Sequence, residues 1–198
     1  MNGRKIIYAS IILSVVALSY FGWKLTARGA YESAEYSVVQ SDGPFEIREY
    51  EDLMMATTNM KLESQGDDGS FMRLFQYISG ANNEEQKIAM TTPVFMEGEA
   101  YEAQGEMGFV IPEELAKQQI PKPSNDNVRI RKRDGGRFAV IRFAGRINNE
   151  TVRRAEERLN KWMEDQKLIR AGDPEFAGYD PPWTPGPLRH NEILIRLK

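Results

Sequence analysis

Two stretches of the chain, FEIREYEDLMMATTNM at residues 45–60 and VRIRKRDGGRFAVIRF at residues 128–143, align with each other without gaps. Their identical pairs are Ile47 with Ile130, Arg48 with Arg131 and Ala56 with Ala139. These identities prove nothing alone, but the order of predicted elements also repeats after each stretch: two alternating strands, a helix and two more strands. The sequence therefore predicts an α+β fold made of two duplicated ββαββ halves.

The apolar patterns place the remaining elements of both halves. The first half has a predicted helix at about residues 69–79 and strands near 87–96 and 106–111; the second has a helix at about 149–167 and strands near 176–179 and 192–197. Neither half can cover its own apolar strand face, so we expect an antiparallel sheet or distorted barrel flanked by both helices. The expected strand core consists of Ala139, Ile141, Phe143, Ile193, Ile195 and Leu197.

The two helices differ in the width of their apolar faces. In the second helix an arc of roughly 100°, typical of one buried face, holds Val152, Ala155, Leu159, Trp162 and Met163. In the first helix an arc of roughly 220° holds Phe71, Met72, Leu74, Phe75, Tyr77 and Ile78. One sheet cannot bury so wide an arc. The surplus needs a cover, which is either a ligand, a partner protein, or a loop of the same chain such as the proline-rich segment 179–192.

The N-terminal residues 1–30 differ in kind from the rest of the chain. An uncharged run extends from Ile6 to Trp23, and its length is just enough for a helix to cross a bilayer. Tyr8, Tyr20 and Phe21 fit the aromatic belts found at membrane interfaces. We interpret residues 1–30 as a membrane anchor with a short linker, and residues 31–198 as one soluble domain.

The charges around this run predict its orientation. The amino terminus, Arg4 and Lys5 favour an N-terminus on the inside, although two basic residues after the run weaken the bias. The domain at 31–198 is then expected on the non-cytoplasmic side, which is the periplasm in a bacterium. The alternative is a cleaved signal peptide and a secreted domain, since Ala27 and Gly29 are small enough for a cleavage site.

Composition excludes several classes of function. A net charge of -3 gives no basic surface for nucleic acid, so we expect no nucleic-acid partner. The absence of cysteine excludes thiolate nucleophiles, disulfides and Cys-ligated metals, and a single histidine excludes multi-histidine sites. No nucleophile elbow, phosphate loop or dinucleotide motif occurs. We expect a non-enzymatic protein, with a hydrolase-like activity in a cleft as the alternative.

Two segments resemble the signatures of the SOUL haem-binding family. YISGANNEEQKIAMTTPVFM, at residues 77–96, is similar to the first signature, in which a Tyr and a Gly close a helix before a Lys-Ile-x-Met-Thr-x-Pro-Val strand. AGYDPPWTPGPLRHNEILI, at residues 177–195, looks like the second, a Tyr-Asp-Pro-Pro-x-x-Pro loop that runs through Arg-x-Asn-Glu into the last strand. The resemblance covers about residues 36–198. It extends in architecture to the duplicated effector-binding domains of bacterial drug-sensing regulators.

The resemblance implies that haem or another tetrapyrrole binds non-covalently in a shallow apolar cleft between the first helix and the proline-rich loop. The family's contacts fall on Phe71, Met72 and Phe75 of the helix and on Trp183, Leu188 and Arg189 of the loop. Where the family's helix can carry a basic residue one turn before Phe71, this chain has Asp67 and Asp68. Pairing of the propionates would then rest on Arg73, Lys87 or Arg189.

The only histidine, His190, is the candidate axial ligand because imidazole is the commonest axial donor to haem iron. The matching family position favours Arg, and a turn role before a strand is equally compatible. Met72 is a second candidate, although methionine on an apolar helix face is more often a gap filler. We therefore expect affinity to come mainly from apolar burial rather than from a strong axial bond.

The remaining interpretations concern the same regions of the chain. The surplus helix edge also suits a docking site for a partner protein or a small-molecule effector. The segment QKIAMTTPVF, at residues 86–95, is expected to be an edge or bulged strand that holds the cleft wall, because Pro93 cannot donate to a strand ladder.

Overall fold

The structure, a computed structural model, describes residues 31–60, 68–98, 105–181 and 184–198. The strands in these ranges are β1 (Glu32–Ser33), β2 (Tyr36–Asp42), β3 (Phe45–Tyr50), β4 (Leu53–Met60), β5 (Thr91–Thr92), β6 (Val94–Glu97), β7 (Gly105–Val110), β8 (Val128–Arg133), β9 (Gly136–Phe143), β10 (Arg170–Gly178) and β11 (Asn191–Leu197). The helices are α1 (Ser70–Ile78), α2 (Glu113–Ala116) and α3 (Asn149–Asp165), and a 3-10 turn occupies Gly186–Leu188.

Nine strands form one antiparallel sheet in the order β2-β3-β9-β11-β10-β6-β7-β4-β8. β1 and β5 pair separately and in parallel. In the described ranges the edge strands β2 and β8 do not pair with each other, so the sheet is not closed into a barrel. The α+β prediction of a large antiparallel sheet flanked by helices is confirmed.

Strand boundaries support the predicted duplication. The gapless alignment of residues 45–60 with 128–143 places β3 on β8 and β4 on β9, end to end. The registers correspond as well, since Ile47 pairs with Ala139 and Ala56 pairs with Ile130. The first strand of each half hydrogen-bonds to the second strand of the other half: β3 to β9, and β8 to β4. The two halves are therefore joined by exchanged strands.

Helices α1 and α3 lie on one face of the sheet, which we call the helix face. α1 packs mainly on β4, β7 and β8, and α3 packs mainly on β9 and β11. The predicted apolar residues of α3 and of the last strand form a single buried cluster with Ala139 and Ile141, as expected. β6 and β10 pair with each other in the middle of the sheet, between the two helices.

The opposite face, which we call the inner face, has its own core. Tyr50, Phe95, Phe138 and Leu194 come from four different strands and pack together there. The guanidinium carbon of Arg133 lies 4.6 Å from the Phe95 ring centre and 4.5 Å from that of Phe138. Because distant strands share this cluster, the sheet must curve so that its inner face folds onto itself.

The segment around Pro93 is divided rather than continuous. The predicted strand at 87–96 reduces to β5 and β6 on either side of Pro93, which cannot donate to a ladder. β5 is not an edge of the main sheet, because it pairs with β1. The hydroxyl of Thr91 donates to the carbonyl of Val110 at 2.6 Å, which ties this segment to β7.

Two other elements differ from the prediction, a strand that is longer than expected and a short helix. β10 begins at Arg170 rather than near Phe176, and its register with β11 is irregular between Arg170 and Pro174. The short helix α2 was not predicted.

The predicted anchor, residues 1–30, lies outside the described residues, and among the described ones no helix combines the length and apolar character needed to cross a membrane.

Candidate functional site

Helix α1 exposes the apolar edge that its 220° arc predicted. Met72 is 52% exposed and Phe75 is 44% exposed, while Leu74 and Tyr77 are buried against the sheet. The half-buried Phe71 stacks on Phe75, with ring centres 6.2 Å apart. The edge is thus a small, partly exposed aromatic wall on the helix that packs on β4, β7 and β8.

The strands next to this wall provide an apolar floor. On the helix face, β6 presents Val94 and Met96, and β10 presents Phe176 and Gly178. Met96 is paired in register with Phe176, and Val94 with Gly178, so the four positions form one patch. These residues are only half-buried, because α1 and α3 pack mainly on the strands to either side. We call this patch with its two flanking helices the interhelical groove.

Helix α3 lines the side of the groove opposite α1. Arg170, at the start of β10, lies 3.8 Å from the carboxylate of Glu156 on α3. Phe143 of β9 packs edge-on against Phe176, with ring centres 6.1 Å apart. The groove is therefore aromatic on both sides of its floor.

Gly178 leaves a gap in this floor. A Cβ atom at this position would lie 3.7 Å from Phe176 Cε1 and 3.9 Å from Met96 Cε, which is ordinary van der Waals contact. No other described atom outside its chain neighbours lies within 4 Å of that position. A larger side chain there would extend into the groove without pushing on the backbone.

The predicted basic residues differ in availability. Arg73 Nε donates to the Thr58 hydroxyl at 3.0 Å and its Nη2 to the Asn59 carbonyl at 2.6 Å, which fixes the guanidinium on β4. Lys87 is exposed and adjoins the C-terminal end of α1, because the next amide, of Ile88, donates to the Ile78 carbonyl at 2.8 Å.

The described part of the proline-rich loop packs on the connection between β9 and α3. The Gly145 amide donates to the Gly186 carbonyl at 3.0 Å. Leu188 is 53% exposed on the 3-10 turn, and Arg189 Nε donates to the Thr184 carbonyl at 2.9 Å. Trp183 lies outside the described residues, so its predicted contact with haem stays a prediction.

His190 belongs to the inner face rather than to the groove. Its Nε2 lies 2.7 Å from the Glu192 carboxylate, and its ring stacks on Tyr179 with ring centres 4.1 Å apart. Tyr179 and Leu194 are members of the inner-face core, and Glu192 precedes Leu194 by two residues on β11, so it points to the same side. The structure therefore separates His190 from Phe71, Met72 and Phe75 by the thickness of the sheet.

Glu192 is the centre of a buried polar network that the sequence did not predict. Arg48, itself 1% exposed, donates to its two oxygens at 2.7 and 2.8 Å, and the Tyr179 hydroxyl donates at 2.8 Å. Burial alone would raise the pKa of Glu192, but the hydrogen bonds from His190 and Arg48 lower the pKa to about 2. Burial also raises the pKa of the Tyr179 phenol. The network holds a charged carboxylate whose oxygens are occupied, which suits a structural role.

The SOUL heme-binding protein family model matches residues 31–196 of the chain. The protein belongs to the SOUL haem-binding family. Two similar proteins are both named Heme-binding protein 1: that of Xenopus tropicalis is 26% identical and that of Xenopus laevis 24%, each over 176 residues that cover 83% of this chain and 92% of the relative.

Solved structures resemble this SOUL protein in fold. The C-terminal domain of EcmrR superposes with a TM-score of 0.57 at 15% identity, over 82% of this chain and 98% of that domain. A protein from Listeria innocua described as a hydrolase superposes with a TM-score of 0.56 at 8% identity, over 81% of this chain and 94% of its own. At these identities the likeness concerns architecture alone.

The sequence of this SOUL protein predicted the helix wall of the candidate site but not the strand residues of its floor. The helix residues Phe71, Met72 and Phe75 lie together as predicted. The floor residues Met96, Phe176 and Gly178 were missed, although all three lie within or beside the two family-like segments. No local pattern identifies them, because they become neighbours only when β6 pairs with β10.

Proposed function

We propose that the protein binds haem or a related tetrapyrrole non-covalently, with the porphyrin in the interhelical groove. The observation that carries this proposal is the exposed aromatic edge of α1 beside an apolar floor of half-buried residues on β6 and β10. Membership of the SOUL family supports a tetrapyrrole as the occupant. A flat, apolar ring is the shape that such a groove suits.

Apolar burial is sufficient for a useful affinity. Removing about 200 Å² of additional apolar surface from water contributes about 5 kcal/mol before the entropic cost of association. The aromatic residues Phe71, Phe75 and Phe176 would supply much of that contact. A micromolar complex therefore needs no strong axial bond, and none is assigned to His190, whose Nε2 is engaged by Glu192.

Basic residues near the groove are proposed to orient the propionates. Lys87 is our first choice because its side chain is exposed beside the end of α1. Arg189 is the second, since it lies in the loop that the family resemblance places against the ligand. Arg73 is a weaker partner, because its guanidinium already binds Thr58 and Asn59.

The test is a hemin titration followed by the Soret band, with a groove-filling variant and a matched control. Wild type should bind one equivalent saturably. Gly178→Leu should abolish that binding because its side chain would occupy the groove, whereas Gly178→Ala adds only a Cβ atom in ordinary contact. Circular dichroism would check that both variants stay folded. Unchanged binding by a folded Gly178→Leu variant would place the ligand elsewhere.

Replacement of Phe75 tests the aromatic wall separately. Phe75→Asp puts a charge against the apolar porphyrin ring, so hemin should bind at least about tenfold more weakly, a change of about 1.4 kcal/mol. His190→Ala should change the dissociation constant by less than about threefold, because His190 faces the other side of the sheet. The reverse ranking, with His190→Ala abolishing a low-spin spectrum, would show that coordination by His190 dominates.

The α1 edge also supports a second candidate function, the docking of a partner protein or small-molecule effector. Met72, Phe75 and Leu188 are large apolar side chains exposed on the described surface. A spectrum that stays that of free hemin at micromolar protein would favour this second function. We propose no catalytic role, because the buried carboxylate of Glu192 is occupied by its donors.

We further propose that the domain is tethered to a membrane on its non-cytoplasmic side. The uncharged run from Ile6 to Trp23 motivates this, since its length matches a bilayer. The full-length protein should sediment with membranes, resist carbonate extraction and expose its domain to protease only from the non-cytoplasmic side. A fully soluble product that starts near Ala30 would instead establish a cleaved signal peptide and a secreted domain.

A further inference from the structure

We infer that Met96 supplies a thioether ligand to the iron of a tetrapyrrole bound in the interhelical groove. This inference rests on the proposed function and adds to it a metal ligand on β6. The nitrogen and thiolate donors that usually hold haem iron are absent from the described walls of the groove. The chain has no cysteine, and its one histidine lies on the inner face with Nε2 bound to Glu192.

Sulfur is the donor that the groove does contain. Among the described methionines, Met55 is fully buried in the inner-face core, and Met163 of α3 is buried in the cluster beneath that helix. Met60 and Met107 are buried beneath α1, and Met54 and Met90 pack half-buried on the same cluster. Met72 lies on the exposed edge of α1, where it is 52% exposed. Met96 is the methionine that lies on the floor, in register with Phe176.

Met96 is also held in place better than Met72. Its strand, β6, is hydrogen-bonded to β7 on one side and to β10 on the other, so the backbone beneath the side chain is fixed. The gap at Gly178 lies directly beside it, since the Met96 methyl group is 3.9 Å from the point where a Cβ atom of residue 178 would lie. Met96 therefore borders the gap at Gly178 as well as the core cluster on which it packs.

A porphyrin lying flat on this floor would present one face to Met96. Thioether sulfur is a soft ligand that favours ferrous over ferric iron and raises the haem potential. The bond should therefore matter most in the reduced state. Ferric hemin would still be held mainly by apolar contact, which agrees with an affinity that needs no strong axial bond.

The test uses full-length protein loaded with hemin and then reduced. Met96→Leu keeps the volume and removes the sulfur. We expect it to shift the absorption bands of the ferrous haem and to lower the midpoint potential, because a thioether ligand raises that potential. Met54→Leu is the matched control, a half-buried methionine on β4 that packs beneath α1 and should alter neither property.

A gain of function provides an independent readout. Met96→His should place imidazole beside the iron and give the absorption spectrum of histidine-ligated ferric haem, which His190→Ala does not remove. If folded Met96→Leu leaves the ferrous spectrum and the potential unchanged, or if Met72→Leu alters them instead, the assignment to Met96 is wrong while the groove proposal stands. If wild type binds no hemin, the proposed function fails, and this inference fails with it.

Discussion

A fragment of residues 31–122 is expected to remain unfolded on its own, without a cooperative thermal transition. In the whole protein, β3 pairs with β9, and β4 pairs with β8 as well as with β7. The strands β8 and β9 lie beyond the end of the fragment. Without β9, the β2–β3 hairpin has no described hydrogen bonds to the remaining strands. An isolated hairpin is at best marginally stable in water.

The hydrophobic core of the fragment would be incomplete as well. The cluster beneath α1 includes Val128 from β8 and packs against Ile130, and the inner-face core loses Phe138 and Val140 from β9. Circular dichroism during heating would measure the transition. The matched control is the complementary fragment 123–198 added to the first, because the mixture should recover a cooperative transition if the exchanged strands can pair. A sharp transition from 31–122 alone would contradict the duplicated single-unit fold.

Replacing Glu192 with glutamine is expected to lower the free energy of unfolding by about 3 kcal/mol. Arg48 is 1% exposed and Glu192 is 0% exposed, so the substitution leaves the buried guanidinium with only the partly exposed Glu46, 2.6 Å from its Nε, as a counter-charge. Breaking such a pair is far more destabilising than the net stabilisation the pair provides, because the remaining charge is desolvated. Urea denaturation of wild type and Glu192→Gln would measure the difference.

The duplication supplies a matched control for this change. The alignment that matches Arg48 with Arg131 also matches Asn59 with Arg142. Asn59 pairs with Glu106 and Arg142 pairs with Glu192, so Glu106 is the structural equivalent of Glu192. Arg131 Nε lies 2.6 Å from Glu106, but the pair is partly exposed, and Arg131 also contacts Glu97 at 2.6 Å. Glu106→Gln should therefore lower the stability by less than about 1 kcal/mol. Equal losses for both variants would show that burial does not control the effect.

The pair also predicts a pH dependence of stability. The pKa of Glu192 falls from 4.5 to about 2 in the folded protein, so the folded state favours the ionised carboxylate more than the unfolded state does. This stabilisation is fully present above pH 4.5 and is lost as the pH falls through 4.5 towards 2. The melting temperature of wild type should therefore fall more steeply across this range than that of Glu192→Gln. If the melting temperatures of the two proteins fell in parallel with pH, Glu192 would not be the source of the pH dependence.

The sequence predicted those features that depend on neighbours along the chain. The apolar arc of α1 is a property of one helix, so the exposure of Met72 and Phe75 could be read from residue spacing. The duplication was also visible, because Ile47 and Ala56 occupy corresponding positions in an alignment of two short stretches. The resemblance of two segments to the SOUL signatures led to the expectation of a tetrapyrrole beside the same helix.

Tertiary structure decided how the halves meet and which residues face the groove. Each half has the same strand pattern, and a strand pattern does not state whether β3 pairs within its own half or across to β9. That choice depends on the total core buried by both halves. The pairing of β6 with β10 then brings Met96 beside Phe176, although the two residues are far apart in the chain.

The side of the sheet taken by His190 was likewise beyond the reach of sequence. Its position beside the proline-rich loop suggested the haem cleft, but a strand side chain can point to either face. His190 lies on the inner face beside Glu192. That carboxylate is fully buried with Arg48 and needs hydrogen-bond donors. Local periodicity thus determined which surfaces are apolar. Strand pairing across the chain determined which residues lie beside the α1 edge, and the buried Glu192 carboxylate determined the surroundings of His190.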